Sequence, residues 1–243
     1  MKASFVAASV LAQYTSLAAA HSMFQDAAAG TVDYNSTCVR MPPNNSPVTN
    51  VAAPEMACNA AGTKATTSTC QATAGSPFTV EMHAQPGDRS CASPAIGGNH
   101  FGPVMVYMSA VADATAAGAA SGASWFKVDE IGYDAATKTW GTDVLNANCG
   151  KRQFVIPAKI PAGDYLVRAE AIALHAASQV GGAQFYMSCY QVKVASSAAG
   201  QLPAGVKFPG AYSAQDPGIL IDIYSNLKSY TIPGPAVIDK SFF

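Results

Sequence analysis

Two eleven-residue runs, DYLVRAEAIAL at 164–174 and QFYMSCYQVKV at 184–194, constrain the fold more than any other feature of this chain. Both are strand-like, and HAASQVGGA between them carries a glycine pair, as a hairpin would. Alternation puts Gln184, Tyr186, Ser188 and Tyr190 on one side of the second run. Phe185, Met187 and Cys189 take the other, which reads as core plus a disulfide. Shorter strand signals recur at PFTVEMH (77–83), PVMVYM (103–108), SWFKVDEIGY (124–133) and QFVIP (153–157), separated by turns such as QPGDRS and IPAGD. Helical periodicity is scarce, and the Ala-rich stretch 110–123 is expected to hold a turn or two of helix. The fold class expected is all-β, an immunoglobulin-like antiparallel sandwich with long loops. After Val194 the chain becomes rich in Pro and Gly, as expected of a long segment that wraps the core or carries function.

The first twenty residues, MKASFVAASVLAQYTSLAAA, have an early lysine, an apolar middle and the small-x-small pair Ala18 and Ala20. They read as a secretory signal peptide, too short and too weakly apolar for a membrane anchor. The mature protein is therefore expected to be secreted and extracellular, to begin at His21, and to form one domain over 21–243 with no appended carbohydrate-binding module. Six cysteines, Cys38, Cys58, Cys70, Cys91, Cys149 and Cys189, fit disulfides in an oxidising compartment. None forms a CxxC pair, which argues against a zinc knuckle. Asn35 in NST and Asn44 in NNS are N-glycosylation acceptors by pattern. A formal charge of −1 implies neither a nucleic-acid nor a membrane partner.

Four histidines are present, His21, His83, His100 and His175. Cleavage before His21 would free an α-amine, and that amine with the imidazole Nδ1 can chelate one metal ion. A second imidazole would complete a planar three-nitrogen site, an arrangement that suits Cu(II). His100 sits at a loop-to-strand junction in GGNHFGPVMVYM, a suitable place for a ligand; a turn histidine hydrogen-bonded to backbone would look the same. His175 lies across the glycine turn from Gln184 and Tyr186, so the three can meet. The plainer alternative is that Tyr186 is a core tyrosine and Gln184 a satisfied edge amide. His83 is read as structural.

With HSMFQD, GDRSC, HFGPVMVYM, GDYLVRAEAIALH, GGAQFYMSCYQ and FPGAYSAQDPGIL in this order, the chain resembles the fungal copper-dependent lytic polysaccharide monooxygenases of auxiliary activity family 9. The resemblance runs from His21 to about residue 238. It implies one copper ion on a flat face, bound by the amine and ring of His21 and the ring of His100, with Tyr186 axial. His175 and Gln184 would donate hydrogen bonds to oxygen arriving there, and Tyr212 would contact a flat polysaccharide. The implied reaction is oxidative cleavage of β-1,4-glucan, cellulose by default, at C1, C4 or both, with O2 or H2O2. Electrons would come from a small reductant or a cellobiose dehydrogenase-type partner, and the protein would act as a monomer. The resemblance also implies the disulfide Cys58–Cys189. Cys38–Cys149 and Cys70–Cys91 are assigned without a residue-level argument, one choice among the fifteen connectivities open to six cysteines.

Two rival readings bear on the same residues. A glycosidase needs two carboxylates flanking the scissile bond, and no pair stands out among Asp33, Glu55, Glu81, Asp88, Asp129, Glu130 and Glu170. Glu170 shares a strand face with Leu166, Arg168 and Ile172, which predicts an ion pair instead. The second rival is a copper- or polysaccharide-binding sandwich without turnover.

Overall fold

The computed structural model describes residues 21–243 apart from 61 and 63, so the expected signal peptide lies outside the described residues. In chain order the strands are β1 Met23–Ala29, β2 Val32–Asn35, β3 Val39–Arg40, β4 Cys70–Thr73, β5 Pro77–His83 and β6 Val104–Val111. There follow β7 Phe126–Ile131, β8 Tyr133–Asp134, β9 Thr139–Trp140, β10 Lys151–Val155, β11 Gly163–Ala173 and β12 Gln184–Ala195. The α-helix among the described residues, α1 Gly141–Ala147, lies between β9 and β10.

A four-stranded sheet, β10-β5-β1-β2, packs against a larger sheet ordered β3-β12-β11-β6-β7, and β4 runs parallel to β12 on the edge it shares with β3. The expected all-β sandwich is present. Its inter-sheet core joins Phe24, Phe78, Val80 and Met82 to Val106, Met108, Val167, Tyr186, Tyr190 and Val192. The outer face of the larger sheet is also covered. Met105, Tyr107, Leu166, Phe185, Met187 and Cys189 pack there against Met56, Trp125, Phe208, Tyr212 and Ile219 from the long connections. The Pro/Gly-rich segment after Val194 is therefore a second cover for the sheet, which is why β11 and β12 are buried on both faces.

The two long runs form the expected hairpin, in register from Gly163↔Val194 to Ala173↔Gln184. Its turn needs glycine at 182, where a Cβ would come within 1.8 Å of the Ala176 carbonyl oxygen. On the outer face Arg168 and Glu170 form the expected ion pair, fully buried, at 2.7 Å. Arg168 also donates to the carbonyls of Met56 and Ala57, so the buried charges are hydrogen-bonded as well as paired.

Three expectations are corrected. In the stretch 110–123 the first two residues end β6 and the rest forms turns rather than helix: Asp113 Oδ1 accepts from the Thr115 N–H at 2.7 Å, and Gly118 and Gly122 take positive φ. The disulfides are Cys38–Cys70, Cys58–Cys189 and Cys91–Cys149, so the assigned Cys38–Cys149 and Cys70–Cys91 do not form. The reason is the shared edge of β12: β3 pairs at Tyr190 and β4 at Val192, which brings Cys38 and Cys70 to a Cα separation of 5.5 Å. The third is Tyr212, treated with the site.

Candidate metal centre

The hairpin register places Gln184 and Tyr186 at the start of β12, directly across from the end of β11 that leads into His175. β6 pairs antiparallel with β11 on the other side, from Val104↔Ala171. The segment before β6 continues along the same line, with Leu174 N donating to Phe101 O at 2.9 Å and Ile172 N to Pro103 O at 3.1 Å. His100 is thus delivered to the same strand end as His175, and their ring centroids lie 4.5 Å apart. The Tyr186 ring is 5.9 Å from that of His100. His21 precedes β1, whose Met23 pairs with His83, and its side chain is exposed. It stands near enough to His100 for its charge to act there.

Burial, reinforced by the neighbouring charge of His175, lowers the His100 pKa to about 4, a shift only partly opposed by Gly97 and Gln184. Burial also lowers that of His175. Neutral imidazoles, with a lone pair to offer, are the favoured forms. Tyr186 is pushed well above the ordinary phenol range by burial, so it keeps its proton and donates it to Gln184 Oε1 at 2.8 Å. That bond uses one lone pair of Gln184 Oε1, and the Gln184 amide N–H groups remain as donors. Nδ1 of both His100 and His175 is buried with no hydrogen-bond partner. Buried polar atoms are normally paired, and two unpaired imidazole nitrogens at one strand end fit a metal ion or a polar ligand. Among the described residues no three His, Cys, Asp or Glu side chains form a metal-holding group; a three-nitrogen site here would draw one donor from the backbone.

His83 lies outside this group. Its Nε2 is 2.7 Å from Glu81 Oε1, and Glu81 is held in turn by Arg89, in a buried cluster under the 84–90 turn. The carboxylates weighed for a glycosidase are largely committed: Asp33 and Glu81 to Arg89, Asp129 to Arg152, Glu130 to Lys127 and Glu170 to Arg168.

Tyr212 corrects the sequence reading. It is 5% exposed, and its hydroxyl donates to Glu170 Oε2 at 2.6 Å and lies 2.8 Å from Tyr107 OH. A side chain engaged with a buried carboxylate cannot present its ring to a surface ligand. An exposed aromatic further along the same segment is Tyr224, 60% exposed. It follows Ile221, whose N–H donates to Ala177 O at 2.8 Å, two residues beyond His175. Val180, 62% exposed, tops the hairpin turn nearby. Nothing in the sequence pattern around Tyr212 and Tyr224 separates a core aromatic from a surface one.

The comparisons follow the same lines. The model of Auxiliary Activity family 9 (formerly GH61) matches residues 21–231. AA9 family lytic polysaccharide monooxygenase AA9-X282 of Trametes coccinea is 55% identical over 227 residues, 93% of this chain and 82% of that one. AA9 family lytic polysaccharide monooxygenase E of Botryotinia fuckeliana is 53% identical over 234 residues, 96% of each. Among solved structures, CvAA9A superposes with a TM-score of 0.81 at 33% identity, covering 90% of this chain and 98% of that one. The extended catalytic domain of H. jecorina LPMO9A gives 0.77 at 27%, covering 90% and 92%.

Proposed function

The chain belongs to Auxiliary Activity family 9, a lytic polysaccharide monooxygenase by kinship, and from that premise we propose how its own residues serve copper-dependent oxidative cleavage of a polysaccharide. Bound at the strand end, one copper ion would supply the redox chemistry that lets an external electron donor and O2 or H2O2 oxidise a carbon of the glycosidic bond. His21, through its α-amine and ring, and His100, through its ring, are the nitrogen donors. The single observation that carries this is the meeting of His100, His175 and Tyr186 at one strand end, with both histidine Nδ1 atoms unpartnered. Planar nitrogen sets suit Cu(II).

Tyr186 would offer its phenol oxygen to the ion. Its proton points to Gln184, which leaves its oxygen lone pairs free of any protein donor. The Gln184 N–H groups and the His175 ring orient the oxidant by hydrogen bonding, as preorganised donors do. The amine exists only if the chain is cut before residue 21; the Ala18-x-Ala20 pattern and a family match that starts at 21 support secretion with that cut. The same match supports reading 21–243 as one catalytic domain.

The substrate is a β-1,4-glucan such as cellulose, oxidised at C1, C4 or both. Tyr224 takes the aromatic contact that Tyr212 cannot make. A small reductant or a cellobiose dehydrogenase-type partner supplies electrons, and the protein acts as an extracellular monomer. Asn35 and Asn44, both exposed, are the glycan acceptors.

Mass spectrometry of cellulose digests tests the reading. Aldonic acids or C4-oxidised ends should form only with copper and ascorbate and disappear with EDTA. Plain cello-oligosaccharides released in EDTA without reductant would establish a hydrolase, and tight copper binding without cleavage would establish a binder.

A further inference from the structure

His100 lies near the end of a segment, 84–103, that has no strand or helix of its own between β5 and β6. A ligand on irregular chain needs its geometry fixed from outside, because metal sites tolerate displacements of only about 0.5 Å. The outside support here is α1. Thr142 and Asn146 are four residues apart and therefore share a helix face. Each makes a reciprocal pair of hydrogen bonds with one backbone unit. Thr142 N donates to Gly102 O at 3.1 Å, and Thr142 Oγ1 accepts from Gly102 N at 3.2 Å. Asn146 Nδ2 donates to Ile96 O at 2.9 Å, and Asn146 Oδ1 accepts from Ile96 N at 2.9 Å.

One helix face thus grips the chain on both sides of His100. Two further contacts stiffen the grip. Cys91–Cys149 ties the start of the segment to the residues just after α1. Gly102 lies so close to β11 that a Cβ would come within 1.8 Å of Ile172 O, which blocks the segment from sliding toward the sheet.

We propose that Thr142 and Asn146 are positioning residues for His100, setting the direction in which its ring nitrogen meets the metal. The inference rests on the reading of His100 as a nitrogen donor. Partners hydrogen-bonded to a metal ligand itself commonly change metal affinity about 10- to 100-fold when removed. Thr142 and Asn146 bond to Gly102 and Ile96 on either side of His100 rather than to its ring, so the low end of that range is expected. The competing possibility is that the two pairs only staple α1 to the sheet.

The mature protein and its variants are compared by calorimetric Cu(II) titration, by electron paramagnetic resonance of the Cu(II) form and by melting temperature. Thr142→Val with Asn146→Ala should weaken copper binding about tenfold and change the copper hyperfine splitting. Thr142→Ser, which keeps the acceptor, should match the parent in both. Gln191→Ala is the matched control, since Gln191 makes the same kind of amide clamp on Thr66 and Ser68. It lies roughly 23 Å along β12 from Gln184 at about 3.3 Å per residue, and should lower the melting temperature while leaving both copper readouts alone. If the double variant does not fold, Asn146→Ala alone, at a half-buried site, carries the test. Parent-like affinity and spectrum in a folded variant would overturn the proposal. A parent that binds no copper is a separate result, and the inference falls with its premise.

Discussion

Tyr186 and Tyr212 are both almost wholly buried, one in the core between the sheets and the other in the layer over the outer face. Their surroundings differ in one respect. Around Tyr212 the polar groups form a closed set: Glu170 takes Arg168 and Tyr212, Tyr107 meets Tyr212, and Arg168 uses its remaining donors on Met56 and Ala57. Around Tyr186 the set is open. Its hydroxyl is satisfied by Gln184, but two imidazole nitrogens beside it have no partner. A closed buried network gives rigidity and nothing to a ligand; an open one at a strand end loses stability that a ligand can restore. Ser188 Oγ and Tyr190 OH, deeper on the Tyr186 side, are also unpartnered, and nothing in the structure explains them.

The largest expected effect lies in the closed set. Glu170→Ala leaves the Arg168 guanidinium buried without its carboxylate and should destabilise the fold by about 3–5 kcal/mol, measured by denaturant unfolding. Copper affinity of the folded fraction should not change. A loss below about 1 kcal/mol would mean that the outer network is not the structural element contrasted here.

Next comes the open set. Added copper should raise the unfolding free energy of the parent by about 2.7 kcal/mol at a free concentration 100 times its Kd. His21→Ala should lose that gain while its metal-free stability stays near the parent value, because the side chain is exposed. Extending the N-terminus by one residue should have the same result, since it blocks the amine alone. Copper-dependent stabilisation surviving in either variant would close the open set and remove His21 from the site.

Tyr212→Phe should follow, at about 2 kcal/mol, the range for a hydrogen bond to a buried charge. Oxidised products from cellulose should be unchanged, while Tyr224→Ala should reduce them on the insoluble substrate with stability intact. The reverse pattern would return the substrate contact to Tyr212.

How much of this was legible in the sequence depends on whether one strand or several segments define a feature. The β11–β12 hairpin, the alternation of Tyr186 against Phe185, and the Arg168–Glu170 pair follow from period-two spacing within single strands, and the structure has all of them. The proximity of His100 to His175 came only with the family resemblance; its cause, the pairing of β6 with β11, is seen in the structure alone. What spacing cannot give is the partner of a segment far away in the chain. Cys38 meets Cys70 only because β3 and β4 share an edge of β12. Tyr212 is interior because the segment after β12 folds over the outer face, where Phe185 and Phe208 pack on its ring and Glu170 on β11 accepts from its hydroxyl. The seven-residue α1 was missed because GTDVLNA is too short for a helical period to show, and its start is fixed by Asp143 capping the Trp140 N–H rather than by an apolar stripe.

Tyr186→Phe sharpens the contrast most closely, because it is the same substitution as Tyr212→Phe on the other buried tyrosine. The lost bond goes to a neutral amide at a strand end, where Gln184 is only half-buried and water can replace the phenol. The stability loss should therefore be about 0.5–1 kcal/mol, smaller than at Tyr212. On the reading that the phenol oxygen faces the ion, removing it and releasing Gln184 should nevertheless alter the Cu(II) resonance spectrum and slow oxidation of cellulose. Two tyrosines would then show opposite orders of effect, stability without activity at 212 and activity without much stability at 186. Equal stability losses with unaltered spectra would leave Tyr186 as one more core tyrosine, the plainer reading that its alternating strand allowed from the start.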